Sequence, residues 1–427
     1  MRIMLLGAGG FIGRHIMSEL LDAGHQVIGV VRSQSSVVAT AFVQANILCL
    51  DLAKATDYTD WAGLLEGVDC IVNAAGILRG PDMFRIHVDM PKALYRAAHQ
   101  AGVKQIILIS AISARPDVTT DYSVSKLAGE RVLRESELSA TILRPSLVYG
   151  EGSYGGTSLL RGMAALPLLI PLPGKGAFEF TPIHVDDLAR FVRQACGNDA
   201  FHDQSLEPVG PETLSLRELL TRYRAWLGLR AAPFLAIPMP VMRLLGRLGD
   251  VFGHGPIATN SLVQMVAGNA GNSTTFAKVA GFSPRSLTEA MLAHPAEVQD
   301  RWHARLFFLA PAIKAVLILL WLASAWLGLF HGREAAQAVA AGLGLPGGWV
   351  LPLQTGSSLL DIAVAGMVLF DRRARWSTLA QLMVVTGYTL VIGVALPRVL
   401  LDPLGPLVKN VPILLLIAVH GVIGDQR

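Results

Sequence analysis

Apolar positions fall into two regimes along the 427 residues of the chain. In the first, short apolar runs alternate with stretches whose apolar residues recur every three or four positions. That is the signature of parallel strands buried on both faces and of the helices that cover them. The runs Ile3–Leu6, Gln26–Val31, Ile47–Leu50, Cys70–Val72, Gln105–Ile109 and Ala140–Leu143 predict strands. Helices are expected after Gly13, over Tyr58–Leu65, from Pro91 to about His99, from Tyr122 onward and over Leu188–Ala195. This alternation gives an α/β fold, a Rossmann-type doubly wound parallel sheet with its ligand at the carboxyl ends of the strands.

The second regime begins near residue 300, with four continuous apolar runs: Leu306–Phe330, Trp349–Phe370, Leu379–Leu400 and Leu404–Ile423. Each is near the twenty residues a helix needs to cross a bilayer, so an all-α bundle of four transmembrane spans is expected. Between the regimes lie an amphipathic helix, Ser215–Leu227, and an apolar stretch broken by Pro233, Pro238 and Pro240. Val241–Leu248, with Arg243 and Arg247, suits either a membrane surface or packing under a substrate lobe. The expected division is 1–225 for the dinucleotide-type domain, 226–300 for a small substrate lobe and linker, and 301–427 for the membrane domain.

Composition agrees: 52% hydrophobic residues against 16% charged is too apolar for a purely soluble protein. From Arg301 onward ten Lys and Arg face five Asp and Glu, so the tail carries +5 and the front about −1. The positive balance therefore belongs to the tail and argues against nucleic-acid binding by the front. Cys49, Cys70 and Cys196 are odd in number and far apart, which describes neither a disulfide framework nor a metal knuckle and fits a reducing compartment. A strand begins after one residue, with no secretory signal ahead of it, so the front is expected in the cytoplasm. Arg301 and Arg305 precede the first span and Arg372, Arg373 and Arg375 follow the second. The positive-inside rule puts both groups on the cytoplasmic side, and an even number of spans returns Arg427 there, giving a multi-pass inner-membrane protein. Lys314 and Lys409 lie near span ends and can snorkel. Asp361 is near mid-span, where an ionisable group either has a function or bonds between helices, with His420 a candidate to face it.

The chemistry starts at RIMLLGAGGFIG, Arg2–Gly13. A strand runs into glycines and then a helix: Gly7 permits the turn, Gly10 lets backbone approach a pyrophosphate, and Gly13 allows close helix packing. Arg32 ends the second strand, where an acidic residue suits NAD and an arginine suits a 2′-phosphate, so NADP is preferred over NAD; a solvated surface arginine is the alternative. Asp51, before Leu52, is placed to accept from an adenine amino group or to cap a turn. The small residues Asn73, Ala74, Ala75 and Gly76 let a dinucleotide lie against the fourth strand's end. YSVSK, Tyr122–Lys126, puts a phenol and an ammonium on one helix face, where a buried ammonium lowers the phenol's pKa. His184, Asp186 and Asp187 resemble metal ligands, but the two aspartates are expected to cap a helix, and no metal is expected.

Together these pieces resemble the short-chain dehydrogenase/reductase superfamily in its extended and atypical branches. The matching residues are GAGGFIG at 7–13, which includes Phe11 and Ile12, Asp51-Leu52, NAAG at 73–76, ISA at 109–111, YSVSK at 122–126, RPSLVYG at 144–150, which includes Pro145, and PIHVDDLA at 182–189. The resemblance implies that Tyr122 is the acid/base that exchanges a proton with the substrate oxygen, and that Lys126 tunes it and holds the nicotinamide ribose. The family's substrate-orienting Ser or Thr falls on Ala111 here, so Ser110 or Ser113 is left to supply the hydroxyl. The ISA-to-YSVSK segment is similar to the dehydrogenase-like accessory subunit of respiratory complex I, a cofactor-binding structural part. The tail resembles the DoxX-like membrane module, some relatives of which take part in thiol or quinone redox. Three functions follow: a membrane-anchored oxidoreductase acting on an apolar carbonyl, alcohol or quinone; a non-catalytic subunit of a respiratory or quinone-linked membrane complex; or a cofactor-domain sensor that regulates a small transporter formed by the tail.

Overall fold

Residues 1–33, 45–152, 155–251, 259–400 and 405–424 are described by the computed structural model. The expected start of the fourth span at Leu404, and Arg427, lie outside them. Seven parallel strands build the central sheet: β1 (Arg2–Leu6), β2 (Gln26–Val31), β3 (Asn46–Cys49), β4 (Cys70–Asn73), β5 (Gln105–Ile109), β6 (Ala140–Leu143) and β7 (Gln204–Leu206). Their order is β7-β6-β5-β4-β1-β2-β3, so the chain leaves β1 in one direction and returns to its other side at β4. Leu6 pairs with Val30 on one side and Asn73 on the other.

Alternation along β1 sends successive side chains to opposite faces. Ile3 and Leu5 join Ile16, Met17 and Leu20 of α1 (Phe11–Asp22) on one face. Met4 and Leu6 join Leu94 and Tyr95 of α2 (Met90–Gln100), with Trp61, on the other. Each such leucine, fully buried, contributes about 2 kcal/mol. Two more helices complete the layers: α3 (Asp121–Arg134), which carries YSVSK, and α4 (Val185–Ala195).

One local expectation changes, and two elements appear that the sequence did not announce. The helix expected over Tyr58–Leu65 is one 3-10 turn, Tyr58–Asp60, capped by Asp57, and Gly63 and Gly67 at positive φ stop it from propagating. β7, which pairs with β6, was hidden because its QSL sequence has no apolar alternation. A single π-turn, Arg85–Asp89, precedes α2.

Contacts divide the chain into two units, Met1–Ala304 and Arg305–Arg427. In the first, the proline-broken stretch becomes a strand, Phe234–Ile237, paired with Ile170–Pro173, followed by a helix, Met239–Val251. The apolar helices Val298–His331, Val350–Phe370 and Arg375–Ala395 carry the tail. They are the three long and apolar enough to cross a membrane among the described residues. The fourth expected span is a 14-residue helix, Asn410–Ile423, about 21 Å long against a core of about 30 Å. Residues before it are spent on a turn in which Lys409 bonds back to Gly405, itself at φ +56°. The tail packs Leu317, Trp321, Val364, Val368, Val385 and Ile417 together. A Cβ at Gly342, the last residue of the short helix Arg333–Gly342, would stand 2.0 Å from the Ala395 carbonyl, a backbone approach that a side chain would block. Asp361 accepts from Ser324 at 2.7 Å and from Tyr388 at 2.9 Å. Its partners are these two hydroxyls and not His420, whose Nδ1 has no partner among the described residues.

Candidate active site

The turn between β1 and α1 is built for backbone proximity. Gly7 has φ +73°, and a Cβ there would stand 2.9 Å from the Ala74 carbonyl; at Gly13 it would stand 2.1 Å from the Gly7 carbonyl. Gly10 caps α1 without a side-chain bond, so the N–H groups of Phe11, Ile12 and Gly13 have no acceptor within the helix, the arrangement by which helix N-termini receive anions. Asn73 is buried; its Oδ1 accepts from Ala75 N at 3.2 Å and shapes the turn that lays Ala74–Gly76 beside Gly7. Gly76 completes the row: a Cβ there would meet Lys126 Nζ at 3.0 Å and His87 Nε2 at 3.3 Å. These glycines bring the β1 turn, the end of β4 and the start of α1 to backbone distance of one another, an arrangement that fits a dinucleotide. Arg32 is exposed at the end of β2. Asp51 accepts from Ala53 N at 3.3 Å, the turn-capping alternative. Pro145 accepts from Ile112 N at 3.0 Å and so fixes the loop after β5.

Thr120 caps α3 by accepting from Ser123 N, and a four-residue spacing then puts Tyr122, Lys126 and Glu130 on one stripe. Lys126 is buried and donates to the Ile109 carbonyl at 3.0 Å. Burial pulls its pKa down to about 8, and Glu130 partly opposes this. Tyr122 departs from expectation. Burial pushes its phenol up to about 12, and the ammonium that was to lower it is committed to a carbonyl.

Ser110 departs too. Its hydroxyl donates at 2.6 Å to Glu130, a fully buried carboxylate held also by Arg144 at 2.8 and 2.5 Å and by Arg134 at 3.0 Å. It serves this cluster and is not free for a substrate. Ser113 is different: its Oγ is fully buried and has no partner among the described residues.

His87, unmarked in the sequence, is the site's other organiser. Ile77 N–H donates to its Nε2 at 3.2 Å, which puts the proton on Nδ1, facing Ser125 Oγ at 2.9 Å; Ser125 in turn donates to the Tyr122 carbonyl at 2.9 Å. Burial first, then Lys126, pushes its pKa down to about 2, so the ring stays neutral. The ring stands edge-on to Tyr122 at 5.8 Å. A Cβ at Gly129 would fall 2.2 Å from the His87 carbonyl, so α3 lies directly on this turn.

The acidic motif at 184–187 lies elsewhere. His184, and not Asp186 or Asp187, caps α4, accepting from Asp186 N at 3.3 Å. Asp186 pairs with His15 at 2.8 Å and Asp187 with Arg285 at 3.0 Å, and no metal-ligand cluster occurs among the described residues.

Residues 7–195 match an NAD(P)H-binding family model and residues 318–418 match a DoxX-like family model. The chain is 26% identical over 255 residues to a ceramide reductase of Caulobacter vibrioides, covering 58% of this chain and 78% of that protein. It is 24% identical over 259 residues to mitochondrial NADH dehydrogenase (ubiquinone) 1 alpha subcomplex subunit 9 of Mus musculus, covering 59% and 67%. The fold resembles a nucleoside-diphosphate-sugar epimerase of Staphylococcus aureus, with a TM-score of 0.55, 19% identity, and coverage of 68% and 99%. It also resembles an NADPH-dependent quinone oxidoreductase of Escherichia coli in complex with NADPH, with a TM-score of 0.55, 18% identity, and coverage of 68% and 99%. A domain that matches an NAD(P)H-binding family is thus joined to one that matches a DoxX-like family.

Proposed function

We propose that the chain is a membrane-anchored NADPH-preferring oxidoreductase that reduces, or in reverse oxidises, an apolar carbonyl, alcohol or quinone-like substrate. The observation that carries it is the meeting of Lys126 and His87 at Gly76, beside the glycine-rich turn, with Tyr122 on the same stripe as Lys126. The bound nicotinamide supplies a hydride or accepts one. In the reducing direction the Tyr122 phenol gives its proton to the substrate oxygen, while Lys126 holds the ribose side of the site. With a phenol near 12, Tyr122 is a ready donor only as negative charge grows on that oxygen. Ser113, buried and without a partner among the described residues, is assigned in this reading to steady the oxygen. Gly7, Gly10, Gly13 and Asn73–Gly76 hold the dinucleotide, and Arg32 takes the 2′-phosphate.

The membrane domain motivates the apolar substrate, and the Caulobacter relative makes lipids of the ceramide class the first to try. Arg372 and Arg373, exposed after the second apolar helix, support a reading in which that helix end faces the cytoplasmic side of an inner membrane. Purified full-length protein in nanodiscs, given NADPH with long-chain ketones, ceramide-class lipids and quinones, should oxidise the cofactor with at least one of them, and Tyr122→Phe should not. Equal behaviour of the two across the panel sinks the catalytic reading.

One observation favours a second reading, a cofactor-loaded structural or assembly subunit of a respiratory or quinone-linked complex: Ala111 stands where the orienting hydroxyl belongs, and Ser110 is committed to Glu130. Cofactor retained through purification, without turnover and together with other membrane subunits, supports it.

A further inference from the structure

The helix Met239–Val251 buries one face and leaves another bare. Gly246 packs on Thr259, where a Cβ would stand 3.3 Å from Thr259 backbone, so this face lies on the helix Thr259–Val266. Away from that contact, Val241, Leu244 and Leu245 are 44, 57 and 38% exposed. At 100° per residue Leu244 points outward, Val241 and Leu245 lie on one flank, and Arg243 and Arg247 lie together on the other. Both arginines are exposed, and neither has an ion pair among the described residues. Val263 and Val266 of the neighbouring helix extend the apolar surface.

We infer that this helix is an interfacial element, seated on anionic bilayer lipid with Leu244 in the acyl boundary and the two arginines at the phosphates. Three observations select lipid. An apolar stripe flanked by cations is the pattern of a helix lying in the headgroup plane. The charge complements anionic phospholipid. The same chain enters a membrane-spanning helix at Val298, under fifty residues after this helix ends. The contact also reaches the candidate active site, because Gln264 of the helix Thr259–Val266 accepts from Thr120, the N-cap of α3, at 2.9 Å and from Ser123, the residue after Tyr122, at 3.2 Å. Asn260 adds a bond to Asp121 at 3.1 Å.

The test places the photo-crosslinking residue benzoylphenylalanine at position 244 of the full chain, in nanodiscs containing one part phosphatidylglycerol to three of phosphatidylcholine. A phospholipid adduct is expected at 244 and none at Lys104, an exposed control position on the sheet domain. Arg243→Glu and Arg247→Glu should each cut the adduct yield about fivefold. Adducts solely with other segments of this chain or with a second copy overturn the inference, as do equal yields at 244 and 104. Retained NADPH binding by the labelled protein separates either result from misfolding, and the outcome does not depend on whether the enzyme turns over.

Discussion

The hydroxyl of Ser110 points at Glu130, 2.6 Å from its Oε1, and that bond takes the most obvious candidate serine out of the reaction. Ser113, three residues on, keeps a buried hydroxyl with no partner among the described residues. The two serines should therefore fail differently. Ser110→Ala is expected to lower stability by about 1–3 kcal/mol, since a buried carboxylate loses a donor. Ser113→Ala should leave the melting temperature unchanged and cut turnover about tenfold or more. Thermal unfolding and steady-state NADPH oxidation on both variants check this.

Lys126 gives the cofactor-free protein an alkaline signature. Its pKa in the fold is about 8, below the ordinary lysine value of 10.5. Between those values the unfolded chain holds a proton that the folded chain has released, so stability rises with pH across the window. The full rise is about 3 kcal/mol. Unfolding in detergent at pH 7.5 to 10.5 should show it in the wild type and not in Lys126→Met.

His87 gives the opposite end of the curve. The folded ring resists protonation down to about pH 2 while the unfolded one titrates near 6.5. Stability should fall as pH drops below 6.5, by up to about 1.4 kcal/mol per unit. His87→Leu should flatten that acid limb and start from a lower plateau, because Ile77 N–H and Ser125 lose their partner. Denaturant melts from pH 4 to 7 report both effects.

Cofactor binding can be split into shape and charge. Gly13→Ala forces a Cβ to within 2.1 Å of the Gly7 carbonyl and should weaken NADPH and NADH alike, by about tenfold or more. Arg32→Asp should weaken NADPH alone and raise the preference for NADH. Fluorescence titration of both cofactors against both variants distinguishes the two losses.

In the tail, Tyr388→Phe and Ser324→Ala each remove one hydroxyl donor from the Asp361 carboxylate. Each should cost about 1 kcal/mol, with Asp361→Asn masking the loss in a double-mutant cycle. Steric-trapping unfolding in bicelles is the measurement.

The strands that build the site were legible because runs such as Ile3–Leu6 and Ile106–Ile109 are apolar throughout, and because Gly7, Gly10 and Gly13 leave a spacing that periodicity alone does not produce. Lys126 and Glu130 also share a readable four-residue spacing. His87 had no such signal: it lies in a single π-turn, and its partners Ile77 and Ser125 sit 10 and 38 residues away. The Glu130 cluster was half visible, since Arg144 opens the RPSLVYG motif, yet nothing local says that Ser110 turns toward it. Hydropathy counted the last span by composition and so missed the turn at Gly405 that shortens it.

Gly129 makes backbone contact with the His87 turn, where a methyl would fall 2.2 Å from a carbonyl oxygen. The depth at which α3 sits is therefore gauged by a missing atom. Tyr122 and Lys126 ride on the same rigid rod, so any side chain at 129 would lift both together while leaving their mutual spacing intact. A Gly129→Ala protein would keep every motif residue and lose the elevation at which they stand.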